Sequence, residues 1–537
     1  MAETTVPDIL HPTPRNRINV DQTKLSVSLA FASGVAGGLF SDALDRASVA
    51  PTTWQPASFV SDLFVSQFAA LCFRGEKEPI STTHIVRLLA SPPSDRAIID
   101  HRRAIVTELA ADDGLRAALD ELDDHMRRFR TLLEGVAGVG KWDPNRRQLD
   151  ILAVVKEIID CMAERFASSK SGLVVLSQWA ERLRASEPYK SLADLIRYEE
   201  RLATLSLKVS VGADGRIRGF QVLSIQEHTE NPFVGSPARR WLSKVELFLR
   251  GFHFSDGEII ARLIDAVFDG IVHEIVRFVQ LAGEVEFYLG AIGFRDRAKA
   301  AGLSVCMPEL VEAGAPRKVH RLFNPLLLAH AMKPVPCDVD LDKHDAIVLV
   351  TGPNSGGKTR LLQSMALMQL LAQCGVFVPA KEATISLVPA LVVSLIQETK
   401  ADQAEGRLGM ELVRIRELFE QLPPGAMVVL DELCSGTNPS EGEEIFELVL
   451  RMLTRLDPQT FITTHFLAFA QRLETEHKIE DTRFLQVVLG PNHEPTYQFA
   501  PGVAQTSLAG HAAARLGVTG DQLIALIERN IAASRGS

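Results

Sequence analysis

Cysteine is sparse and scattered in this 537-residue chain: there are six, at positions 72, 161, 306, 337, 374 and 434, and none forms a Cys-x-x-Cys pair. That spacing excludes a recognisable zinc site and suits a reducing cytosol. A basic excess is missing too. The net charge is −10, so no global positive field gathers nucleic acid, and any such contact depends on local groups. Arg239-Arg240 and the trio Arg295, Arg297 and Lys299 are the candidates, and they read first as solvated helix faces. The apolar stretch Leu25–Phe40 is too short for a membrane span and is interrupted by Ser26, Ser28 and Ser33. It reads as a buried element. Met1-Ala-Glu-Thr-Thr lacks the basic start of a signal peptide, which points to the cytoplasm. No internal repeat or low-complexity tract is visible. With 46% hydrophobic and 23% charged residues, the composition is that of a soluble globular protein, and the length calls for several domains.

What is present is concentrated in the C-terminal half. Gly352-Pro353-Asn354-Ser355-Gly356-Gly357-Lys358-Thr359 follows the apolar run Ile347–Val350 and precedes a helical stretch, 360–374. Strand, glycine-rich turn and helix start are the context in which backbone N–H groups close around a polyphosphate. The pattern predicts that Lys358 reaches the β- and γ-phosphates of a nucleoside triphosphate and that the Thr359 hydroxyl ligates Mg²⁺. Downstream, Ala426-Met-Val-Val-Leu-Asp431-Glu432 is an apolar strand ending in two carboxylates. Asp431 is expected in the Mg²⁺ shell and Glu432 as the residue that orients or deprotonates the attacking water. A third strand ends at His465, where a γ-phosphate sensor could stand, although a lone histidine at a strand end is usually structural. Parallel strands over 345–350, 392–397, 426–432 and 459–465 alternate with helical stretches and predict an α/β domain whose ligands bind beyond the strand C-termini.

Upstream, residues 94–340 carry helical periodicity. Ser255-Asp-Gly-Glu258 has a capping-box pattern, and apolar positions 260, 264, 267, 271, 275 and 278 follow at steps of three and four. They predict one long helix with no break before about Gly290. Asp214-Gly215, between the apolar runs Leu207–Val211 and Gly219–Val222, signals a hairpin. Gly135–Pro144 reads as a loop between helices.

These motifs resemble the MutS mismatch-repair ATPase family. Thr351–Thr359 is similar to its TGPNMGGKS, and Asp431–Gly442 to its DE-hydrophobic-GRGTS-x-x-DG. Ile462-Thr-Thr-His465-Phe466 and Tyr497–Ser507 resemble its ATHY and Y-x-x-x-PG segments. The likeness is specific over about 345–520. More weakly, Val86–Asp95, Ile99–Val106, Val285–Tyr288 and Cys306–Pro308 extend it upstream. It implies a mixed fold. Residues 1–80 are of uncertain fold, 81–310 form a helical core and lever with a short β-hairpin clamp near 207–235, and 311–537 form a phosphate-loop ATPase domain of ABC type. It also implies ATP and Mg²⁺ as cofactors, a homodimer, no membrane, and structured or branched DNA as partner.

The chain departs from that family in three places. About 80 residues precede the core and contain no Phe-x-Glu wedge, so mismatch reading is not expected. Leu408-Gly409-Met410 follows Gly406-Arg407 where the family has Ser-Thr-Phe, so no hydroxyl is supplied to a neighbouring subunit's site. Pro334 stands where the family has an aromatic that stacks on adenine. Two other readings remain open. A transporter-type or SMC-type ATPase lacks support, because neither a Leu-Ser-Gly-Gly-Gln signature nor room for a coiled coil is present. A nucleotide-gated assembly or ribosome-associated factor without a DNA role suits the acidic balance.

Overall fold

The computed structural model describes residues 6–33, 37–135, 144–199, 203–211, 217–227, 256–330, 332–395, 407–434, 438–491, 494–505 and 518–535. The fold is mixed α/β, and its contacts divide it into two compact units that interleave along the chain. One holds 1–48, 79–84 and 107–289; the other holds 49–78, 85–106 and 290–537.

The first unit is mostly helical. Asp112 caps Asp113–Glu134 by accepting from the N–H groups of Gly114 and Leu115, and Gly135 ends it at φ 70°. Between them Leu115, Leu119, Leu122, Met126, Phe129 and Leu133 form one buried stripe at helical spacing. Pro144 opens the next helix, Pro144–Arg165, with residues 136–143 of the expected loop outside the described set. The hairpin pairs Ala203–Val211 with Ile217–Glu227, longer strands than the sequence suggested; its turn and residues 228–235 lie outside the described residues, as do Arg239 and Arg240.

Leu25–Phe40 is not a single buried element. It contributes to the helix Val20–Ser33, which buries Val27, Ala30 and Phe31 but leaves Leu25 63% and Leu29 59% exposed. Leu25 and Leu29, four residues apart, share one face of this helix, and Val27, Ala30 and Phe31 share another.

The long helix is Asp256–Ala300. Ile264, Val267, Ile271, Ile275 and Phe278 are buried as their spacing predicts. Its first-unit part carries buried acids. Glu284 accepts from the Ile9 N–H at 2.8 Å and lies 3.6 Å from the Arg17 guanidinium, which also pairs with Asp8. Arg127 donates to Glu286 at 2.6 Å, and the Ile80 N–H donates to the same carboxylate. The helix does not break at Gly290. A Cβ there would lie 2.8 Å from the Phe73 ring, and one on Gly293 would lie 1.9 Å from the Arg74 carbonyl oxygen. Both glycines therefore serve close packing within the second unit rather than termination. Arg297 is not a solvated cation either. It donates to the carbonyls of Cys72, Arg74 and Gly75, while Arg295 pairs with Asp296.

In the second unit a six-stranded sheet runs in the order Pro495–Pro501, Thr482–Leu489, Ile347–Thr351, Gln459–Thr463, Met427–Leu430, Leu391–Ser394. The four strands expected from sequence are all present and all parallel to their neighbours. Only the outer strand Pro495–Pro501 runs antiparallel. One face is covered by Arg407–Gln421, Pro439–Leu453 and Leu467–Glu476, whose Leu418, Phe446, Leu450 and Phe469 pack on Leu349, Val428 and Ile462. The helix Lys358–Cys374 packs on Gln459–Thr463, Met427–Leu430 and Leu391–Ser394 and is buried along nearly its whole length. A smaller four-stranded sheet contains Glu309–Val311, Glu382–Ser386, Arg317–Leu322 and Cys337–Leu341. Arg96–Ala111 inserts Arg102 wholly buried, donating to the Cys374 carbonyl, and Arg103 donates to Pro308 O.

Glu286, buried in the first unit, makes stability sensitive to pH. Burial raises its carboxyl from the ordinary 4.5 to about 7, against the pull of Arg127 and the Ile80 N–H, with Asp123 adding to the rise and Arg130 opposing it. The proton held in the folded state stabilises it fully below about pH 4.5, and this contribution is lost as pH rises through about 7. In urea titrations, wild type should lose stability relative to Glu286→Gln across that window, by at most about 1.4 kcal/mol per pH unit. A difference independent of pH would refute the shift.

Candidate functional site

Parallel pairing sets Ile347–Thr351, Gln459–Thr463 and Met427–Leu430 side by side with their C-terminal ends at one edge. The residues expected in the site follow directly: 352–359 after the first strand, His465 after the second, Asp431-Glu432 after the third.

Past Thr351 the backbone turns through Gly352 at φ 134° and a short 3₁₀ turn, Asn354–Gly356, in which the Gly356 N–H donates to Pro353 O at 2.9 Å. Gly357 at φ 88° then opens the helix Lys358–Cys374. Only glycine adopts such angles without strain. Space is short as well, since a Cβ on Gly352 or Gly356 would lie 2.7 Å from Val487 Cγ2 on the neighbouring strand. The loop is thus pressed onto the sheet by its own lack of side chains.

Lys358 is 3% exposed, and its ammonium donates to Gly352 O at 2.8 Å and Pro353 O at 3.3 Å. Burial lowers its pKa, while Glu432 and Asp431 pull it back up. Thr359 Oγ1 donates to Asp431 Oδ2 at 2.6 Å. The other carboxylate oxygen, Oδ1, accepts from Thr463 Oγ1, and that same hydroxyl oxygen accepts the Glu432 N–H at 2.8 Å. The Asp431 N–H donates to Ser394 O at 2.9 Å. Glu432 and Cys434 stand at φ 52° and 62°, so the chain turns sharply as it leaves the strand.

The expected residues 352–359 and 431–432 therefore converge. His465 lies at the same edge, exposed, with its ring 4.3 Å from that of Phe466. It does not line the cleft beside the loop. That cleft, of about 480 Å³, is bordered by Ser355, Gly357, Lys358 and Thr359, and also by Asp62, Phe64 and Tyr497. Thr463 is the residue of this cluster that the motifs leave unremarked. Its signal is a hydroxyl at the end of a strand adjacent to the acidic one, inside the segment whose histidine draws attention.

Among the departures, Gly406 lies outside the described residues, Arg407 begins the helix Arg407–Gln421, and Leu408 falls in its first turn. In the loop after Asp431-Glu432, Cys434 is buried and Asn438 caps Pro439–Leu453 by accepting from the Ser440 N–H at 3.2 Å. Pro334 is buried. Elsewhere, among the described residues, Glu121, His125 and Cys161 bring possible metal-ligand atoms within 4.8 Å. The acid there is taken by Arg165 at 2.9 Å, and burial with Glu121 pushes the Cys161 thiol up to about 12.

Residues 348–532 match the profile of MutS domain V. Among curated proteins, Endonuclease MutS2 of Thermus thermophilus is 31% identical over 236 residues, covering 42% of this chain and 30% of that protein. Endonuclease MutS2 of Gemmatimonas aurantiaca is 33% identical over 224 residues, 41% of this chain and 27% of that protein. That of Thermomicrobium roseum is 28% identical over 278 residues, 49% and 34% respectively. The chain spans about a third of the length of these relatives.

The clash at the loop is directly testable. Gly356→Ala should destabilise the protein by about 1–3 kcal/mol through overpacking against Val487. Combining it with Val487→Ala should recover part of that loss, read as a coupling energy in a urea-denaturation double-mutant cycle. Strict additivity would show that the loop has room to move.

Proposed function

We propose that this chain, which belongs to the MutS family through its domain V, is an ATPase that acts on DNA as a homodimer. The observation that carries the ATPase reading is the cluster at the sheet edge. Thr359 and Thr463 hold the two oxygens of Asp431, and Lys358 lies on the loop beside them.

The residues fit the cofactors. A hydroxyl and a carboxylate oxygen meeting at 2.6 Å are hard ligands of the kind Mg²⁺ prefers. Thr359 and Asp431 would hold the ion, which would neutralise charge on the triphosphate oxygens. The glycine loop and the N-terminus of Lys358–Cys374 cradle the phosphates of ATP, with Gly352, Pro353, Asn354, Ser355, Gly356 and Gly357 forming the wall. Lys358 places a cation against the β- and γ-phosphates. Glu432, set by its N–H on Thr463, orients the attacking water and takes its proton. His465, at the same edge, is the proposed contact to the γ-phosphate.

The DNA and dimer parts rest on kinship. The curated relatives are named as endonucleases, and the loop from Asp431 to Gly442 resembles an inter-subunit element. With a net charge of −10, DNA binding should depend on local contacts to the backbone and on shape, and should weaken steeply with salt. No helix among the described residues is long and apolar enough to cross a membrane.

Lys358→Ala should abolish tight ATP binding. Glu432→Ala should retain binding, slow hydrolysis at least tenfold, or about 1.4 kcal/mol, and favour an ATP-bound dimer in sedimentation. Equal ATP affinity in wild type and Lys358→Ala would remove the reading. Hydrolysis without salt-sensitive binding to duplex or branched DNA would favour the assembly-factor alternative.

A further inference from the structure

The rim of the cleft is built by chain far from the phosphate loop in sequence. Residues 53–62 run beside Leu391–Ser394, the outer strand of the sheet. Thr53 Oγ1 donates to Pro389 O at 2.5 Å, Trp54 Nε1 to Val388 O at 3.0 Å, and Ser58 Oγ to Leu391 O at 2.7 Å; Asp62 Oδ2 accepts from the Leu395 N–H at 2.6 Å. Trp54 and Phe59, both buried, pack edge to face with centroids 5.5 Å apart. These contacts occupy backbone groups along the sheet edge and fix the segment to it.

Just past its last anchor the segment delivers Phe64. This residue stands at φ 50°, a left-handed conformation that bulky side chains avoid, and its ring is 42% exposed. The turn supplies the angle: the Phe64 N–H donates to Ser61 O at 3.0 Å and the Val65 N–H to Val60 O at 3.1 Å, so Phe64 is the left-handed residue that closes the turn over residues 60–65, a place glycine ordinarily takes. Tyr497 repeats the combination on the same cleft. It stands at φ 58° and is 43% exposed, and a Cβ on Gly357 would lie 3.1 Å from its ring. Two partly exposed aromatic rings on one cleft present flat apolar faces to a flat ligand. The same cleft is lined by the polar side chains of Lys358, Thr359 and Arg360. Asp62 adds a carboxylate to the lining, which disfavours a phosphate beside it, whereas the cations of Lys358 and Arg360 attract one.

We propose that Phe64, carried by the 53–64 segment, is a base-binding residue of the nucleotide site, stacking on the nucleobase of the triphosphate whose phosphates lie against Lys358. This rests on the nucleotide reading above. A volume of about 480 Å³ is in the range of small-molecule sites and accommodates a nucleotide. The N-terminal segment thereby becomes part of the nucleotide site, and a bound base clamps it from its exposed side.

The test compares MgATP with Mg-tripolyphosphate, which has the phosphates and no base, by calorimetry on the full chain. Phe64→Ala should weaken MgATP about tenfold and leave tripolyphosphate unchanged, and Phe64→Trp should restore MgATP affinity. Phe64→Leu keeps apolar bulk without the aromatic face and should behave like Phe64→Ala, which separates stacking from loss of fold. Unchanged MgATP affinity in Phe64→Ala, with binding still lost in Lys358→Ala, would overturn the proposal while leaving the ATPase reading intact. Equal weakening of both ligands would also overturn it, since Phe64 would then act through the loop. If wild type binds neither ligand, the nucleotide reading falls and the proposal falls with it.

Discussion

The site depends on one carboxylate shared between two hydroxyls. Asp431 leaves Met427–Leu430, takes the Thr359 hydroxyl from the helix behind Ile347–Thr351, and takes the Thr463 hydroxyl from the end of Gln459–Thr463. Three neighbouring strands are thereby tied at their C-terminal ends by bonds of the strong, charge-assisted kind. The geometry follows from lower levels. Continuous burial of Ile347–Val350, Met427–Leu430 and Phe461–Ile462 makes these strands the middle of a covered parallel sheet. Parallel pairing then brings their polar ends to one edge. The same Thr463 oxygen accepts the Glu432 N–H, so the residue proposed to handle water is positioned by the residue that holds its neighbour.

Much of this was legible in the sequence because it is local. A strand, a glycine turn and a helix start are contiguous, and their roles depend on backbone angles that residue type alone constrains. The stripe from Ile264 to Phe278 likewise announces a helix. Features set by distant packing were not legible. The sequence shows no break before about Gly290, but it does not show that the helix runs on to Ala300 or that Gly290 and Gly293 are there to admit Phe73 and the Arg74 backbone. Arg297 reads as a surface cation, yet it donates to carbonyls of residues 72–75, which no spacing reveals. Leu25 and Leu29 look buried by composition and are exposed by orientation.

The N-terminal segment shows the same limit most clearly. Nothing in Thr53–Phe64 names a partner, because its hydrogen bonds run to carbonyls and an N–H in residues 388–395, and backbone groups leave no trace in residue type. The left-handed angle at Phe64 is equally silent, since glycine or asparagine would have advertised it and phenylalanine does not. Non-local pairing also explains why the two compact units interleave rather than follow each other along the chain.

The central claim is that Asp431 works because Thr359 and Thr463 hold it, and Thr463 is the member of that set which touches neither of the proposed ligands. Steady-state ATP hydrolysis with Thr463→Val and Thr463→Ser measures this most directly. The account predicts that valine lowers kcat at least tenfold with ATP affinity largely kept, and that serine, which restores the hydroxyl, recovers most of the rate. Wild-type kcat in Thr463→Val would contradict it.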